Sequence, residues 1–135
     1  EAKMMQEFSA IEDEAHKNNL QVIAWMYPRG KSVKNLETSR DIVAYAARLG
    51  LELGADYVKV PYTGDVASFS WVVKSAGKTG VLAQGGAKID ESILLKETSE
   101  IMQSGARGMA VGRNIWQATD PVGLSKKIAE IIFKN

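Results

Sequence analysis

Residues 54–65, GADYVKVPYTGD, decide the fold class of this chain. Gly54 stands where a helix would end, and YVKV at 57–60 is a short β-prone segment. PYTG then predicts a turn, and Asp65 can accept a hydrogen bond at the start of a further helix. A helix, a strand and another helix therefore follow one another, which is the order of a parallel α/β sheet.

The same alternation extends in both directions along the 135 residues. Apolar side chains at helical spacing predict helices, and short apolar runs bounded by Gly, Pro or Asp predict strands. The predicted helices are 2–17, 39–53, 65–76, 90–102 and 120–132, and the predicted strands are 21–27, 57–60, 80–84 and 108–111. No linker interrupts this order, so we predict a single domain.

The number of strand–helix units indicates half of a larger fold. A (β/α)8 barrel typically needs about 250 residues, and about 200 is near its lower limit. This chain opens on a crossover helix without its preceding strand, and four parallel strands alone would leave two bare edges. We therefore predict an α/β fold, the C-terminal half of a TIM (β/α)8 barrel over residues 1–135. A small open α/β sheet, complete in itself, is the alternative that periodicity leaves open.

Composition and charge exclude several classes of function. Lys and Arg number 17 against 16 Asp and Glu, so the net charge is +1 and no basic excess predicts nucleic-acid binding. The chain has no Cys and only one His, His16, which excludes a thiolate metal site and a His-rich metal site within it. No apolar run reaches the roughly 18 residues of a membrane span, and residues 1–19 do not resemble a signal peptide. We expect a cytoplasmic protein without a membrane partner.

Lys59 is unusual within the predicted strand 57–60, because strands of a parallel sheet are normally apolar on both faces. Side chains alternate along a strand, so Val58 and Val60 share one face and Lys59 takes the other. If the two valines face the helices, Lys59 points into the barrel. A buried lysine loses hydration, which lowers its pKa and leaves neutral amine for attack on a carbonyl carbon. The alternative is a lysine near the strand end that reaches solvent.

Two aromatic residues lie on one face of the predicted strand 21–27. Tyr27 is at its carboxyl end, where barrel enzymes carry catalytic groups, and Trp25 precedes it on the same face. The Tyr27 phenol could transfer protons, and Trp25 could form a pocket wall. The alternative is an aromatic pair in the core.

Glycine-marked loops follow the third and fourth predicted strands. Barrels often bind phosphate with the loops after their last two strands, because main-chain N–H groups can approach an anion closely where glycine removes the side chain. Arg113 would add charge-assisted hydrogen bonds. The candidate binding residues in these loops are Gln84, Gly85, Gly86, Gly112 and Arg113.

Several longer segments carry a family resemblance through nearly the whole chain. They are WMYPRGK (25–31), VAYAARLGLELGAD (43–56), GADYVKVPYTGD (54–65), FSWVVKSAGK (69–78), GGAK (85–88) and GARGMAVGRNIWQ (105–117). Their combination resembles the DhnA-type class I aldolases, best known as archaeal-type fructose-1,6-bisphosphate aldolases. The resemblance implies a (β/α)8 barrel of which this chain holds strands five to eight and the fourth helix.

The resemblance also implies a reaction and roles for the candidate residues. The reaction would be reversible cleavage of fructose 1,6-bisphosphate to dihydroxyacetone phosphate and glyceraldehyde 3-phosphate, a step of glycolysis and gluconeogenesis. Lys59 would form the Schiff base, and Tyr27 would be the general acid and base, with Trp25 beside it. The sugar-phosphate substrate would be held by Gly85, Gly86, Gly112 and Arg113. No metal or other cofactor is expected, because the iminium is the electron sink, and a homo-oligomer is expected because family members commonly form rings.

The chain departs from the family pattern in three places. Ala87 replaces the proline of the usual GGPK loop, and Pro61 follows the lysine strand where a residue with an N–H is usual. An Asp of the family's N-terminal half, in an Asp-His-Gly motif, has no counterpart in these 135 residues. Two alternatives remain at this point. One is the transaldolase-type 2-amino-3,7-dideoxy-D-threo-hept-6-ulosonate synthase of aromatic amino-acid biosynthesis, and the other is a non-catalytic phosphate-binding half-barrel.

Overall fold

The computed structural model describes residues 2–134 and contains one helix followed by four strand–helix units. The strands are β1 (Ile23–Trp25), β2 (Tyr57–Val60), β3 (Gly80–Gln84) and β4 (Gly108–Ala110). The helices are α1 (Ala2–Lys17), α2 (Arg40–Glu52), α3 (Val66–Ser75), α4 (Glu91–Gln103), α5 (Arg113–Trp116) and α6 (Pro121–Phe133). A 3-10 turn at Lys31–Val33 lies in the β1–α2 loop.

The four strands form one parallel sheet in the order β1-β2-β3-β4. Strands that follow one another in the sequence are therefore also neighbours in the sheet. This is the strand order of a barrel, in which each helix returns on the same side of the sheet. A doubly wound open sheet instead reverses its strand order and carries helices on both faces. The strand order therefore favours the barrel over the open α/β sheet that the sequence left as an alternative.

The core lies between one face of this sheet and the helices. The buried strand side chains are Ala24, Val58, Val60, Val81 and Ala83, and they pack against Val43, Ala47, Phe69, Val72 and Ile101 of the helices. Burying each Val or Phe side chain contributes about 1.5–3 kcal/mol, so this layer carries most of the stability. The prediction that Val58 and Val60 share the helix-facing side is confirmed. Lys59 accordingly points to the opposite face, where Ile23 and Trp25 are exposed.

Aspartate side chains form capping hydrogen bonds at the start of two helices, α3 and α6, including the cap predicted at Asp65. The Asp65 side chain accepts a hydrogen bond from the Ser68 N–H, and Asp120 accepts one from the Gly123 N–H, each at 2.9 Å. Asp90 occupies the cap position of α4, but its side chain makes no capping bond. Each capping bond of this type stabilises a helix by about 1 kcal/mol.

β1 is shorter than the predicted strand 21–27, because it is an edge strand paired only with β2 in this chain. Hydrogen bonds to the β2 segment continue for one residue beyond each end of β1. Val22 accepts hydrogen bonds from the Asp56 and Tyr57 N–H groups, and the Met26 N–H donates to the Lys59 carbonyl at 2.9 Å. β4 likewise ends at Ala110, one residue before the prediction.

In helix α1, the apolar residues Met5, Phe8, Ile11 and Ala15 recur at spacings of three and four, but they do not all face the core. Ile11 is 67% exposed, whereas Glu12 is buried at 9% exposure. The Glu12 carboxylate lies against Gly54 and contacts His16, so α1 turns a charged residue toward the start of β2. The acidic residues 12–14 are therefore not all solvated, because Glu12 is buried.

Candidate active site

Lys59 lies in the middle of the candidate site, on the face of β2 away from the helices. Sheet register places it beside Trp25 of β1 and Leu82 of β3. Its Nζ lies 4.1 Å from the centroid of the Trp25 ring and 5.9 Å from that of Tyr27. Among residues 2–134, no carboxylate forms an ion pair with Lys59. The amine is therefore held by aromatic faces and has no internal anion to neutralise it.

Trp25 and Tyr27 form a tilted aromatic pair next to this lysine. Their ring centroids are 6.2 Å apart at an interplanar angle of 46°. Trp25 is 68% exposed and Tyr27 is half-buried, so the pair does not belong to the core. The structure therefore brings Lys59, Trp25 and Tyr27 together, as the sequence predicted, at the carboxyl ends of β1 and β2.

Gln84 extends the same face toward the carboxyl edge of the sheet. It stands two residues after Leu82 on β3 and pairs in register with Ala110 of β4. Leu82 pairs in register with Lys59, and side chains alternate along a strand, so Gln84 points to the same side as Lys59, one step nearer the strand ends. Its side chain is half-buried and can donate or accept hydrogen bonds there.

The loop after β3 approaches the end of β4 very closely. Gly85 donates its N–H to the Ala110 carbonyl at 3.0 Å, and a Cβ at Gly85 would come 2.8 Å from the Val111 Cα. Only glycine fits there without moving the main chain. The next residue, Gly86, has a φ of 62° in the left-handed region and has open space around its Cα.

The loop after β4 meets the β3 loop and completes this cluster. Gly112 precedes α5, and the Trp116 ring lies over it. The Arg113 guanidinium donates to the Gly86 carbonyl at 3.0 Å. Gly85, Gly86, Gly112 and Arg113 are therefore brought together as predicted. Since β2 and β4 are two strand spacings apart, about 10 Å, a lysine side chain and a short phosphate ester can bridge the two groups.

Asn114 was not predicted from the sequence; it is 3% exposed and hydrogen-bonds the β3–α4 loop. Its neighbours in the sequence offered one signal, because an amide in the first turn of a short helix after a glycine can hydrogen-bond main-chain groups. Burial at this position could not be read from α5 alone.

A second polar cluster lies at the opposite, amino edge of the sheet. His16 contacts Glu12 at 2.7 Å and Asp56 at 2.9 Å, and Asp56 also accepts the Val22 N–H at 2.8 Å. The hydrogen bond to Asp56 raises the pKa of His16 above its usual value. The Val22 N–H and His16 hold the pKa of Asp56 below its usual value. Neither residue reaches the carboxyl edge, so we assign this cluster to structure.

A metal centre is not evident in the part of the chain that the structure describes. No group of three or more His, Cys, Asp or Glu side chains within residues 2–134 could hold a metal ion. Over the same residues, no helix is long and apolar enough to cross a membrane. The chemistry available at the carboxyl edge is that of an amine, a phenol, a guanidinium and main-chain N–H groups.

Known proteins resemble this chain in sequence and in fold. "Fructose-bisphosphate aldolase class 1" of Thermoproteus tenax is 48% identical over 134 residues, which cover 98% of this chain and 51% of that protein. The crystal structure of an archaeal fructose 1,6-bisphosphate aldolase matches 100% of this chain and 54% of its own, with a TM-score of 0.95 and 47% identity.

A second solved structure bears on the candidate lysine. It is an archaeal fructose-1,6-bisphosphate aldolase whose catalytic Lys is covalently bound to the carbinolamine intermediate of the substrate. That structure matches with a TM-score of 0.93 and 47% identity, over 98% of this chain and 53% of its own.

The extent of these matches agrees with the fold. The chain spans about half the length of the curated relatives it matches. Its four strand–helix units have the winding and the close structural match of a TIM (β/α)8 barrel. Residues 1–118 match the family model described as DeoC/LacD family aldolase, so the chain belongs to that family.

Proposed function

We propose that this chain is the C-terminal half of one (β/α)8 barrel domain, and that the full-length protein is a class I, Schiff-base fructose-1,6-bisphosphate aldolase. The main support for this function is the position of Lys59, whose Nζ lies 4.1 Å from the centroid of the Trp25 ring on the face of the sheet that the helices do not cover. A nucleophilic lysine needs such a site, partly apolar and open to a carbonyl substrate.

The Lys59 amine attacks C2 of the open-chain ketose and gives a carbinolamine, which loses water to form an iminium. The iminium accepts the electron pair of the C3–C4 bond, and Tyr27 removes the proton of the C4 hydroxyl as that bond breaks. Glyceraldehyde 3-phosphate leaves, Tyr27 returns the proton to C3 of the enamine, and hydrolysis of the resulting iminium releases dihydroxyacetone phosphate and the free lysine. No metal cofactor is needed, because the protonated imine is the electron sink.

The substrate's phosphate is proposed to bind at the joined glycine loops. The Gly86, Gly112 and Arg113 N–H groups have no acceptor among residues 2–134, and Arg113 carries a full positive charge. Gln84 borders this cluster on the Lys59 face, and Trp25 forms the opposite wall. Main-chain N–H groups with an adjacent guanidinium suit a phosphate dianion.

An assay of the full-length protein tests this function. With fructose 1,6-bisphosphate we expect both triose phosphates, detected by coupled reduction of dihydroxyacetone phosphate and oxidation of glyceraldehyde 3-phosphate. Activity should survive exhaustive treatment with a metal chelator. Absence of cleavage, together with formation of the aminodideoxyheptulosonate from the synthase's substrates, would show the sibling enzyme instead.

The boundaries and assembly of the protein stay predictions. An intact mass about twice that of these 135 residues would support the half-barrel assignment. A mass equal to this chain, without aldolase activity, would support the non-catalytic half-barrel. We also predict a homo-oligomer in the cytoplasm, which analytical ultracentrifugation and cell fractionation would check.

A further inference from the structure

Asn114 is a buried polar residue whose hydrogen bonds all go to one loop. It lies in the first turn of α5 and is 3% exposed. Its Nδ2 donates to the carbonyls of Gly85 at 2.6 Å and Ala87 at 2.9 Å, and its Oδ1 accepts the Ile89 N–H at 2.9 Å. A buried amide is costly unless it is paired, and this one uses both of its donors and its acceptor.

We propose that Asn114 is the positioning residue that shapes the β3–α4 loop, residues 85–89, for binding the substrate phosphate. This inference rests on the function proposed above and deepens it. Asn114 does not itself need to touch the phosphate. It acts by fixing the direction of the peptide groups that do.

The geometry of the carbonyls explains this action. The Asn114 amide donates to the carbonyls of Gly85 and Ala87, and the Arg113 guanidinium donates to that of Gly86 at 3.0 Å. Three consecutive carbonyls therefore point toward α5. In a planar trans peptide the C=O and the following N–H point in opposite directions. The N–H groups of residues 86, 87 and 88 therefore point away from α5.

These three N–H groups are available to a ligand. In the described residues 2–134, none of them donates to another group of the protein. Successive main-chain N–H groups with a left-handed residue among them form a concave anion site, and Gly86 supplies that residue with its φ of 62°. Loss of the Asn114 donors would release two carbonyls and allow these peptides to rotate.

Asn114→Asp in the full-length protein is the sharpest variant. It keeps the shape and one acceptor but replaces the donors with a carboxylate that repels the Gly85 and Ala87 carbonyls. Lys59 is trapped with borohydride over a range of dihydroxyacetone phosphate concentrations, and separately with dihydroxyacetone, which lacks the phosphate. We expect the half-saturating concentration of dihydroxyacetone phosphate to rise about 30-fold, because misplacing a binding group by about 1 Å can cost about 100-fold.

Selectivity for the phosphorylated ketone separates positioning from a general loss of structure. Trapping with dihydroxyacetone should stay within about twofold of the wild type, because Lys59 and Tyr27 are untouched. Equal losses for both ketones, or an unchanged concentration dependence for dihydroxyacetone phosphate, would overturn the proposal.

Two further variants control for charge and folding. Asn114→Ala adds no charge and should show the same selective loss. Gln117→Glu adds a negative charge at an exposed side chain at the end of α5, and should change either value by less than about threefold. A loss in Gln117→Glu as large as that in Asn114→Asp would mean that charge, and not loop geometry, caused the effect.

A failure of the aldolase function is distinguishable from a failure of this inference. If the wild type forms no adduct at Lys59, the proposed function fails. Binding of inorganic phosphate is then measured by calorimetry on the wild type and Asn114→Ala. Weaker binding in the variant would still support the loop-positioning role. Equal affinities, or no binding by the wild type, would contradict it.

Discussion

The two edges of the same sheet use polar side chains in opposite ways. At the amino edge, Asp56 holds both His16 and the Val22 N–H, and the buried Thr79 hydroxyl donates to the Ala55 carbonyl at 3.0 Å. At the carboxyl edge, Lys59 has an aromatic ring as its neighbour rather than a carboxylate. Polar side chains are paired internally at the first edge, whereas at the second edge Lys59 and the main-chain N–H groups of residues 86–88 are left available to a ligand.

This difference follows the general division of labour in parallel α/β barrels. Residues at the carboxyl ends of the strands carry the chemistry, whereas those at the amino ends carry stability. Variants at the two edges should therefore separate activity from stability. The four predictions below test that separation, in order of decreasing effect.

The largest separation is expected between Lys59→Met and Asp56→Asn in the full-length protein. Lys59→Met should lower kcat for fructose 1,6-bisphosphate by about 10⁴-fold or more, roughly 5 kcal/mol, because methionine cannot form the imine. Its melting temperature should change by less than about 2 °C. Asp56→Asn should keep kcat within about twofold and lower the melting temperature by about 2–4 °C, since hydrogen bonds to the charged carboxylate are lost.

Steady-state kinetics and differential scanning calorimetry on the two variants check this pair. A kcat loss in Asp56→Asn comparable to that in Lys59→Met would break the division between the edges. Lys78→Met is a matched control, because Lys78 is exposed before β3 at the amino edge.

Tyr27→Phe should separate proton transfer from imine formation within the carboxyl edge. We expect kcat for cleavage to fall by about 10²- to 10⁴-fold, because the ring remains and only the hydroxyl is lost. Borohydride should still trap dihydroxyacetone phosphate on Lys59. Measuring both reactions on one preparation checks this, and an unchanged kcat would remove Tyr27 from the proton-transfer role.

Alanine substitutions at the two neighbouring glycines test which part of the phosphate loop needs a close main-chain contact. Gly85→Ala forces the β3 and β4 ends apart, since its Cβ would lie 2.8 Å from the Val111 Cα, and should raise KM by about 100-fold. In Gly86→Ala the added Cβ meets open space, and the only cost is about 1–2 kcal/mol for the left-handed φ. A smaller rise in KM is therefore expected. Initial-rate measurements should rank the two; the reverse order would contradict the close approach seen here.

The smallest expected effect is a pH dependence of stability that arises from His16 and Asp56 at the amino edge. The pKa of His16 is raised in the folded protein, so its contribution is full below the unfolded value of 6.5 and is lost as pH rises through the folded pKa. The pKa of Asp56 is lowered, so its contribution is present above the unfolded value of 3.8 and is lost as pH falls through the folded pKa.

Comparison of the wild type with His16→Gln tests this sign. The wild type should be more stable than the variant between about pH 4 and 6.5, and the difference should shrink as pH rises further. Chemical unfolding at several pH values measures it. A difference that grows toward alkaline pH would show that the neutral imidazole, not the imidazolium, holds this edge together.

Local periodicity accounts for what the sequence predicted well. The alternation that turns Lys59 away from Val58 and Val60 is a property of any strand, and the Asp65 and Asp120 caps involve residues three positions away. Glycine loops on consecutive strands could likewise be expected to meet, because parallel strands bring their carboxyl ends to one edge.

Contacts distant in sequence account for what was missed. Asn114 reaches Gly85 across 29 positions, and His16 reaches Asp56 across 40. No local pattern specifies such pairs, since they depend on how the helices pack against the sheet. The burial of Glu12 in place of Ile11 has the same origin, because the orientation of α1 is set by His16, Asp56 and the space at Gly54.

Mapping the residue to which the substrate becomes covalently attached tests the assignment of Lys59 most directly. Full-length protein is reduced with borohydride in the presence of dihydroxyacetone phosphate, digested, and the modified peptide is identified by mass spectrometry. We expect one adduct, on Lys59, that is absent from Lys59→Met and retained in Lys78→Met. An adduct on another lysine, or none on the wild type, would contradict the claim that the carboxyl edge of this sheet carries Schiff-base chemistry.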